Sequence, residues 1–404
     1  MLRRCLSPIL TLTLSLSFAL TPMAFAQKGG KGDKGGNGGK GDSQPTFTFT
    51  WLGTLGGPFT STSGINESGD VWGSSTVPSG VSEPAFASRP FIIWSTGPDA
   101  GQMVDFQQQL IDEGRIGEFD WENLVGVYQV EIGEINNSGG VACIIEEIID
   151  PQSGEYLFYT CLYTPASVDD QGNVVASSLQ YIDISSSRID RVVLNDAGVV
   201  ASDSNDNVVD GSTGTYQWTP ESGRNYLGFW KETWSINLNG AMCGPYGNWK
   251  YIPGDGYSQV FPSDVGWDSS VREINDFNQI GGTYQRSNTS YKNACRVEAD
   301  GSINVIKMPK NRASVGWAIN NNGDVVGSGS LNGGWRPFVY TDNDGVIDVF
   351  SRTSNLPQEL ATLIDGNGIS DRIGYFDIND SGVVIGRVLS GPNSAEAFLL
   401  APNE

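Results

Sequence analysis

Forty-six aspartates and glutamates and not one histidine narrow the chemistry open to this chain. Nucleophilic systems built on Ser–His or Cys–His, and metals held by imidazole, are excluded. Carboxylate pairs remain, the arrangement that glycoside hydrolysis uses. Two acidic groups stand out: Glu146, Glu147 and Asp150, and Asp112, Glu113, Glu118 and Asp120. In so acidic a protein such runs are usually solvated faces, so no catalytic residue is assigned. Part of a calcium-loop spacing occurs in Thr341-Asp-Asn-Asp-Gly-Val-Ile-Asp348, at Asp342, Asp344, Gly345 and Asp348. Its first ligand position falls on Tyr340 and no glutamate closes it. An Asn-Asp-Gly hairpin turn explains the same residues, so the expectation is no cofactor, with calcium the weaker alternative.

Aromatic residues are the other chemical resource. Trp218, Trp230, Trp234, Trp249, Trp267 and Trp335 are interleaved with Tyr246, Tyr251 and Tyr257. The segment 244–267 is rich in Gly, Pro and aromatics and reads as a long loop able to stack sugars or grip a protein, although aromatics fill cores as readily. Cys143, Cys161, Cys243 and Cys295 have no zinc-type spacing. Cys143 follows one repeated turn and Cys161 lies in the next apolar stretch, so adjacent antiparallel strands would bring that pair into bonding range; a Cys243–Cys295 pair would have to span two units.

What positions these residues is a repeat. The stretch Ser63-Gly-Ile-Asn-Glu-Ser-Gly-Asp-Val-Trp-Gly-Ser74 recurs with anchors at Asn66, Asn136, Asp169, Asn195, Asn237, Asn275, Asn320 and Asn379. An aliphatic residue precedes each anchor. Glycine stands three residues after it (Asn278 is the exception), an apolar residue five after, and a small residue seven after. Asn or Asp opens a turn, and glycine takes the left-handed conformation at no steric cost. The flanking aliphatics are then the ends of two antiparallel strands. The small residue marks close approach of another backbone. Met103–Gly114 and Leu356–Gly366 interrupt the pattern as short helices.

The chain begins with Arg3 and Arg4, an apolar run from Ile9 to Leu20 and Ala24-Phe-Ala26, the layout of a secretory signal cleaved before Gln27. Residues 27–45 read as a flexible Gly/Lys-rich tether. With six Lys/Arg and two Asp/Glu before residue 46, the remainder holds 18 basic against 44 acidic side chains, a balance of −26. That field repels nucleic acid. No transmembrane segment is expected, and the location is secreted, periplasmic or at the cell surface.

Residues 46–404 form one repeat domain of eight units averaging about 45 residues, near the size of a four-stranded propeller blade. The expected fold is all-β, a β-propeller of six to eight blades, with an open β-solenoid as the competing architecture. The last unit stops after one strand, Ala397–Leu400, and the domain opens with an extra one, Phe47–Leu55. The N-terminal strand is therefore expected to complete the last blade.

These residues resemble the extracellular HAF repeat family. Leu52-Gly-Thr-Leu-Gly-Gly57, Gly64-Ile-Asn66, Asp70-Val-Trp-Gly73, Ala318–Gly327 and Asp377–Gly386 carry the likeness. The histidine that names the family is absent, and Glu396-Ala-Phe398 stands in its place. The resemblance implies a repeat scaffold outside the cell or in its envelope and brings no catalytic residues. The functional expectation is an exported, monomeric, non-enzymatic binding or structural module whose partner is an extracellular protein or glycan. The alternative is a secreted carbohydrate-active enzyme using paired carboxylates in a propeller mouth.

Overall fold

A computed structural model describes residues 45–403 except 79–85, 121, 169–170, 205–206, 209–210, 212, 229–230, 288, 290, 366–372 and 390–395. The expected leader and almost all of the tether lie outside the described residues. Within them, the repeated stretch opens a four-stranded antiparallel sheet seven times. The inner strands, in chain order for blades one to seven, are Thr60–Ile65, Gly126–Ile135, Val192–Leu194, Ser235–Ile236, Ser270–Ile274, Ser314–Ile319 and Ile373–Ile378. Each of the first six blades runs outward from its inner strand in sequence order.

Blade seven departs from that order. Its outermost strand is Phe47–Trp51, paired antiparallel with Ala397–Pro402. Phe49 stacks on Phe398 at 5.4 Å and Phe350 of blade six packs on the same ring at 5.7 Å. The expected closure by the N-terminal strand is present, and the fold is a seven-bladed β-propeller. Because each sheet is apolar on two faces, the core divides into seven clusters, one between each pair of neighbouring blades. No blade buries its faces alone, which is why the repeat must close into a ring.

Seven blades fall within the expected six to eight, and of the eight repeat anchors the one at Asp169 opens no blade. Asp169 itself is outside the described residues. Its flanking strands, Ser167–Val168 and Val174–Val175, make a small exposed hairpin between the third and fourth strands of blade two. The segment 244–267 is also corrected: it is not a long loop but holds two strands of blade four, Trp249–Ile252 and Gly256–Gln259. The two insertions do contain helices, Phe106–Asp112 and Gln358–Asp365, and the first is capped by Asp105, which accepts from the Gln108 amide. Where a small residue follows the anchor by seven, the inner strand is close: a Cβ on Gly73 would lie 2.0 Å from the Ser61 carbonyl oxygen. Asn278, the exception at the turn glycine, has φ 60°.

The seven asparagine anchors do more than turn the chain. Each Oδ1 accepts the amide four residues on, as Asn195 Oδ1 does from Val199 at 2.9 Å. Each Nδ2 donates to the backbone carbonyl of the anchor in the next blade. The bonds run Asn66 to Asn136, Asn136 to Asn195, Asn195 to Asn237 and Asn237 to Asn275, then to Asn320, Asn379 and back to Asn66. Their lengths lie between 2.7 and 3.3 Å. All seven side chains are buried. Aspartate could close its own turn but has no N–H to donate, so an Asp anchor cannot serve in this ring.

Substitution Asn195→Asp should therefore keep the local turn and break one inter-blade link. The expected loss is about 1–3 kcal/mol, the cost of leaving a buried carbonyl unsatisfied. Asn225→Asp, exposed on the outer strand of blade three, should stay within about 0.5 kcal/mol of the parent. Urea unfolding of both variants checks this, and equal stabilities would remove the ring from the account.

Candidate functional site

The seven inner strands surround an axis that holds two cavities with a shared floor. The smaller, about 110 Å³, opens at the asparagine ring. There the residue after each anchor forms a second, outer ring. Asn137 donates from its amide to Asp196, Leu238 to Asp276, Asp276 to Asn321, Asn321 to Asp380 and Asp380 to Glu67, at 2.6–2.9 Å. Leu238 supplies no acceptor side chain of its own and interrupts the ring. The carboxylates of this mouth are thus acceptors for backbone amides of neighbouring blades.

The floor consists of residues two before the anchors. Asp377 Oδ2 accepts the Ile65 amide at 2.9 Å and Glu273 Oε2 accepts that of Ile319 at 2.8 Å, each across a blade boundary. Glu134 does the same for Leu194, and the Ser235 hydroxyl for Ile274 at 3.2 Å. Desolvation pushes the Glu134 carboxyl up to about 8 and Asp377 to about 6, and burial with the Asp377 charge holds Glu273 well up too.

The larger cavity, about 320 Å³, lies on the opposite side of this floor. Its wall is a run of alternating cations and rings contributed by successive blades. Arg191 lies over Trp234 at 4.9 Å, and Arg272 lies between Trp234 at 4.5 Å and Trp317 at 4.8 Å. Trp317 meets Tyr375 at 5.0 Å, Arg387 lies over Tyr375 at 3.6 Å, and Arg387 Nη1 donates to Ser61 Oγ at 2.6 Å. Desolvation and the neighbouring Arg191 lower Arg272 to about 10, so it remains a cation.

Bulges build this wall. The inner strands of blades one, two, five, six and seven each slip register two or three residues before the anchor's preceding aliphatic. The unpaired residues are Ser63, Gly133, Arg272, Trp317 and the pair Tyr375–Phe376. An extra residue in a strand turns its side chain out of the alternation. Here five bulges bring those residues to the axial cavity. Tyr375 has φ 56°, a conformation that a bulky side chain adopts only when its surroundings impose it. Blades one and two place Ser63 and Gly133 at this level, where Trp72 also lines the cavity and donates to the Gly133 carbonyl.

Of the residues singled out from sequence, Trp234 reaches this wall, whereas the acidic groups go elsewhere. Glu147 accepts from the Tyr159 hydroxyl, Asp150 from the Gln152 amide and Asp120 from the amides of Glu122 and Asn123. Glu113 accepts from Tyr163 and Ser177, and Asp112 from Gln108. No carboxylate pair forms among these bonds. Asp342 is held by Arg296 through both oxygens at 3.0 Å, while Asp348 lies 3.6 Å from Arg336. The stretch between them is the turn of a hairpin in which Thr341 pairs with Gly345. Cys143 and Cys161 stand opposite each other in blade two, and Cys243 and Cys295 share one cluster; all four are buried thiols. Trp249 is buried, whereas Trp267 is 91% exposed. The floor and wall were missed because the columns two and three residues before the anchor vary in type. Glu134, Glu273 and Asp377 at the first, and Trp234, Arg272 and Trp317 at the second, were the available signal.

Fold and site together define a seven-bladed propeller with a polar axial cavity. No protein-family model matches the chain, and no curated protein matches it. Among solved structures it is similar to the β-propeller domain of the Trilobed protease from Pyrococcus furiosus, at 11% identity over 85% of this chain and 93% of that one, TM-score 0.48. TolB from Acinetobacter baumannii is similar at 14% identity over 83% and 80%, TM-score 0.34. An aldose sugar dehydrogenase from Streptomyces coelicolor follows at 9% identity over 88% and 98%, TM-score 0.32.

The floor has a consequence for stability. Glu134 and Asp377 hold protons in the folded chain at pH values where the unfolded chain has released them. Between about pH 5 and about pH 8 the folded state binds more protons, so stability falls as pH rises. The urea midpoint should drop across that window, and Glu134→Gln should flatten the dependence. A midpoint that climbs from pH 5 to pH 8 would contradict the assignment.

Proposed function

We propose that this chain is an exported, non-catalytic binding module of the HAF-repeat kind that uses its larger axial cavity to hold a ligand. The observation that carries this is the way the floor is used. Asp377, Glu273 and Glu134 each accept a backbone amide of the next blade, so the carboxylates nearest the cavity join blades together. A general acid or base must instead be within reach of the substrate's proton. The cavity's volume of about 320 Å³ suits a small ligand or the tip of an extracellular protein or glycan. Secretion or a periplasmic or cell-surface location accords with the leader, and a monomer accords with blades that complete each other within one chain. The module needs no calcium or other cofactor in this reading.

A second reading has its own support. Three carboxyls on one cavity, all raised above the usual carboxylate range, are what a carboxylate-based glycosidase or lyase requires. Assaying the mature protein against glycoside and polyuronide panels separates the two. The expected result is no turnover with the parent protein or with Glu134→Gln, Glu273→Gln or Asp377→Asn. Turnover that falls about a hundredfold or more in one of those variants would establish the enzyme. Export is checked in the same preparation: the protein recovered outside the cytoplasm should begin at Gln27.

A further inference from the structure

Three polar groups lining the larger cavity have no hydrogen-bond partner among the described residues: Thr62 Oγ1, Arg272 Nε and Arg387 Nε. Thr62 is only 5% exposed. A buried N–H or O–H without an acceptor is destabilising, so three at one place ask for a molecule that satisfies them. The arginines also narrow what that molecule is. Both faces of the Arg272 guanidinium are covered by indoles, which leaves only its edge for hydrogen bonding. Arg387 has Tyr375 on its face, is hydrogen-bonded to that side chain and spends Nη1 on Ser61, which leaves Nε without a partner. Neither forms an ion pair among the described residues. Two desolvated guanidinium edges facing one cavity require an acceptor that is planar and negative.

We infer that Arg272 and Arg387, with Thr62 on the same cavity, bind a small organic monoanion through its carboxylate. This rests on the reading of the cavity as a binding site. A phosphate dianion fits less well, because it is not planar and because Asp377 in the floor, ionised above about pH 6, would repel a second charge. A monocarboxylate meets the arginine edges while its body lies against Ala318, Phe376 and the hydroxyls of Ser61 and Ser63. The rings of the wall are not sugar-stacking platforms. Trp234 and Trp317 have cations or another ring on their faces, and their indole N–H groups are engaged by Glu232 and Ser328. They hold the guanidinium groups in place and exclude water from them. The bulges and the left-handed Tyr375 serve the same placement.

The test is calorimetric titration of the mature protein with glucuronate, lactate and benzoate, alongside inorganic phosphate and neutral glucose. Intrinsic tryptophan fluorescence is followed in parallel, since Trp234 and Trp317 line the cavity. At least one carboxylate should bind and alter the fluorescence, with phosphate and glucose weaker. Arg272→Gln and Arg387→Gln should each reduce affinity about tenfold or more. Arg312→Gln, an exposed position away from the cavity, should leave it unchanged. Circular dichroism establishes that the variants fold, and the parent's fluorescence response decides the matter if they do not. Preference for phosphate or glucose, or no binding of any carboxylate to the parent, overturns the inference. Turnover of a glycoside with carboxylate binding intact would remove the non-catalytic reading and leave this site standing. Absence of carboxylate binding in a protein without turnover would remove this site alone.

Discussion

The asparagine carboxamide is the group on which the structure depends. Its carbonyl oxygen accepts from its own turn while its separate NH2 group donates to a neighbour. Seven of them form an unbroken circuit from Asn66 through Asn379 and back, so each blade's turn geometry is tied to the next blade's position. The apolar clusters between blades supply non-directional attraction, which would tolerate slippage. The circuit supplies register. The N-terminal strand Phe47–Trp51 completes blade seven on the outside while Asn379 and Asn66 join the same two blades at the axis. Closure is thus secured at both the rim and the centre.

A ring built this way leaves a polar axis, and the chain fills that axis with charge. Close to the circuit, Glu67, Asp196, Asp276 and Asp380 look surplus in a protein of such negative balance, yet each accepts an amide of the preceding blade around the ring. One layer deeper, Glu134, Glu273 and Asp377 repeat the arrangement in the opposite sense. Much of the acidity near the axis is therefore structural, with carboxylates standing in for side-chain amides. Beyond that floor the pattern changes. Arginines and aromatic rings from five consecutive blades interleave, with each cation held against one or two rings. Cation–π contacts of this kind are worth about 0.5–2 kcal/mol each and fix the guanidinium planes.

The difference between the two sides of the floor follows from backbone geometry. On the circuit side the turn is uniform, so side chains at equivalent positions meet equivalent partners. On the cavity side the inner strands carry bulges of one or two residues, and the side chains so released differ from blade to blade. A repeat can keep its scaffold and vary its binding surface because the variation is confined to residues outside the ladder. At Ser63 and Gly133 the bulges release neither a cation nor a ring, so the wall is not symmetric about the axis.

Much of the scaffold was legible in the residues themselves. The spacing of Asn, Gly and aliphatics named the hairpin, the small residue seven after the anchor named the close backbone contact, and the spare strand Phe47–Leu55 named the closure. Local rules sufficed because each of these is settled within a dozen residues or by simple complementarity of the ends. Which of the eight anchors opens no blade, and the site, were not legible. Asp169 matches the turn pattern as well as Asn195 does, and only the inter-blade bond, which aspartate cannot donate, tells them apart. Trp249 and Trp267 are indistinguishable as sequence, yet one is buried and the other almost wholly exposed. Arg191, Trp234, Arg272, Trp317 and Arg387 belong to five different blades, and only the closed ring brings them to one wall. Sequence determined the repeated unit because a turn is a local object. Tertiary structure decided the site because a cavity on an axis exists only once all the blades have closed around it.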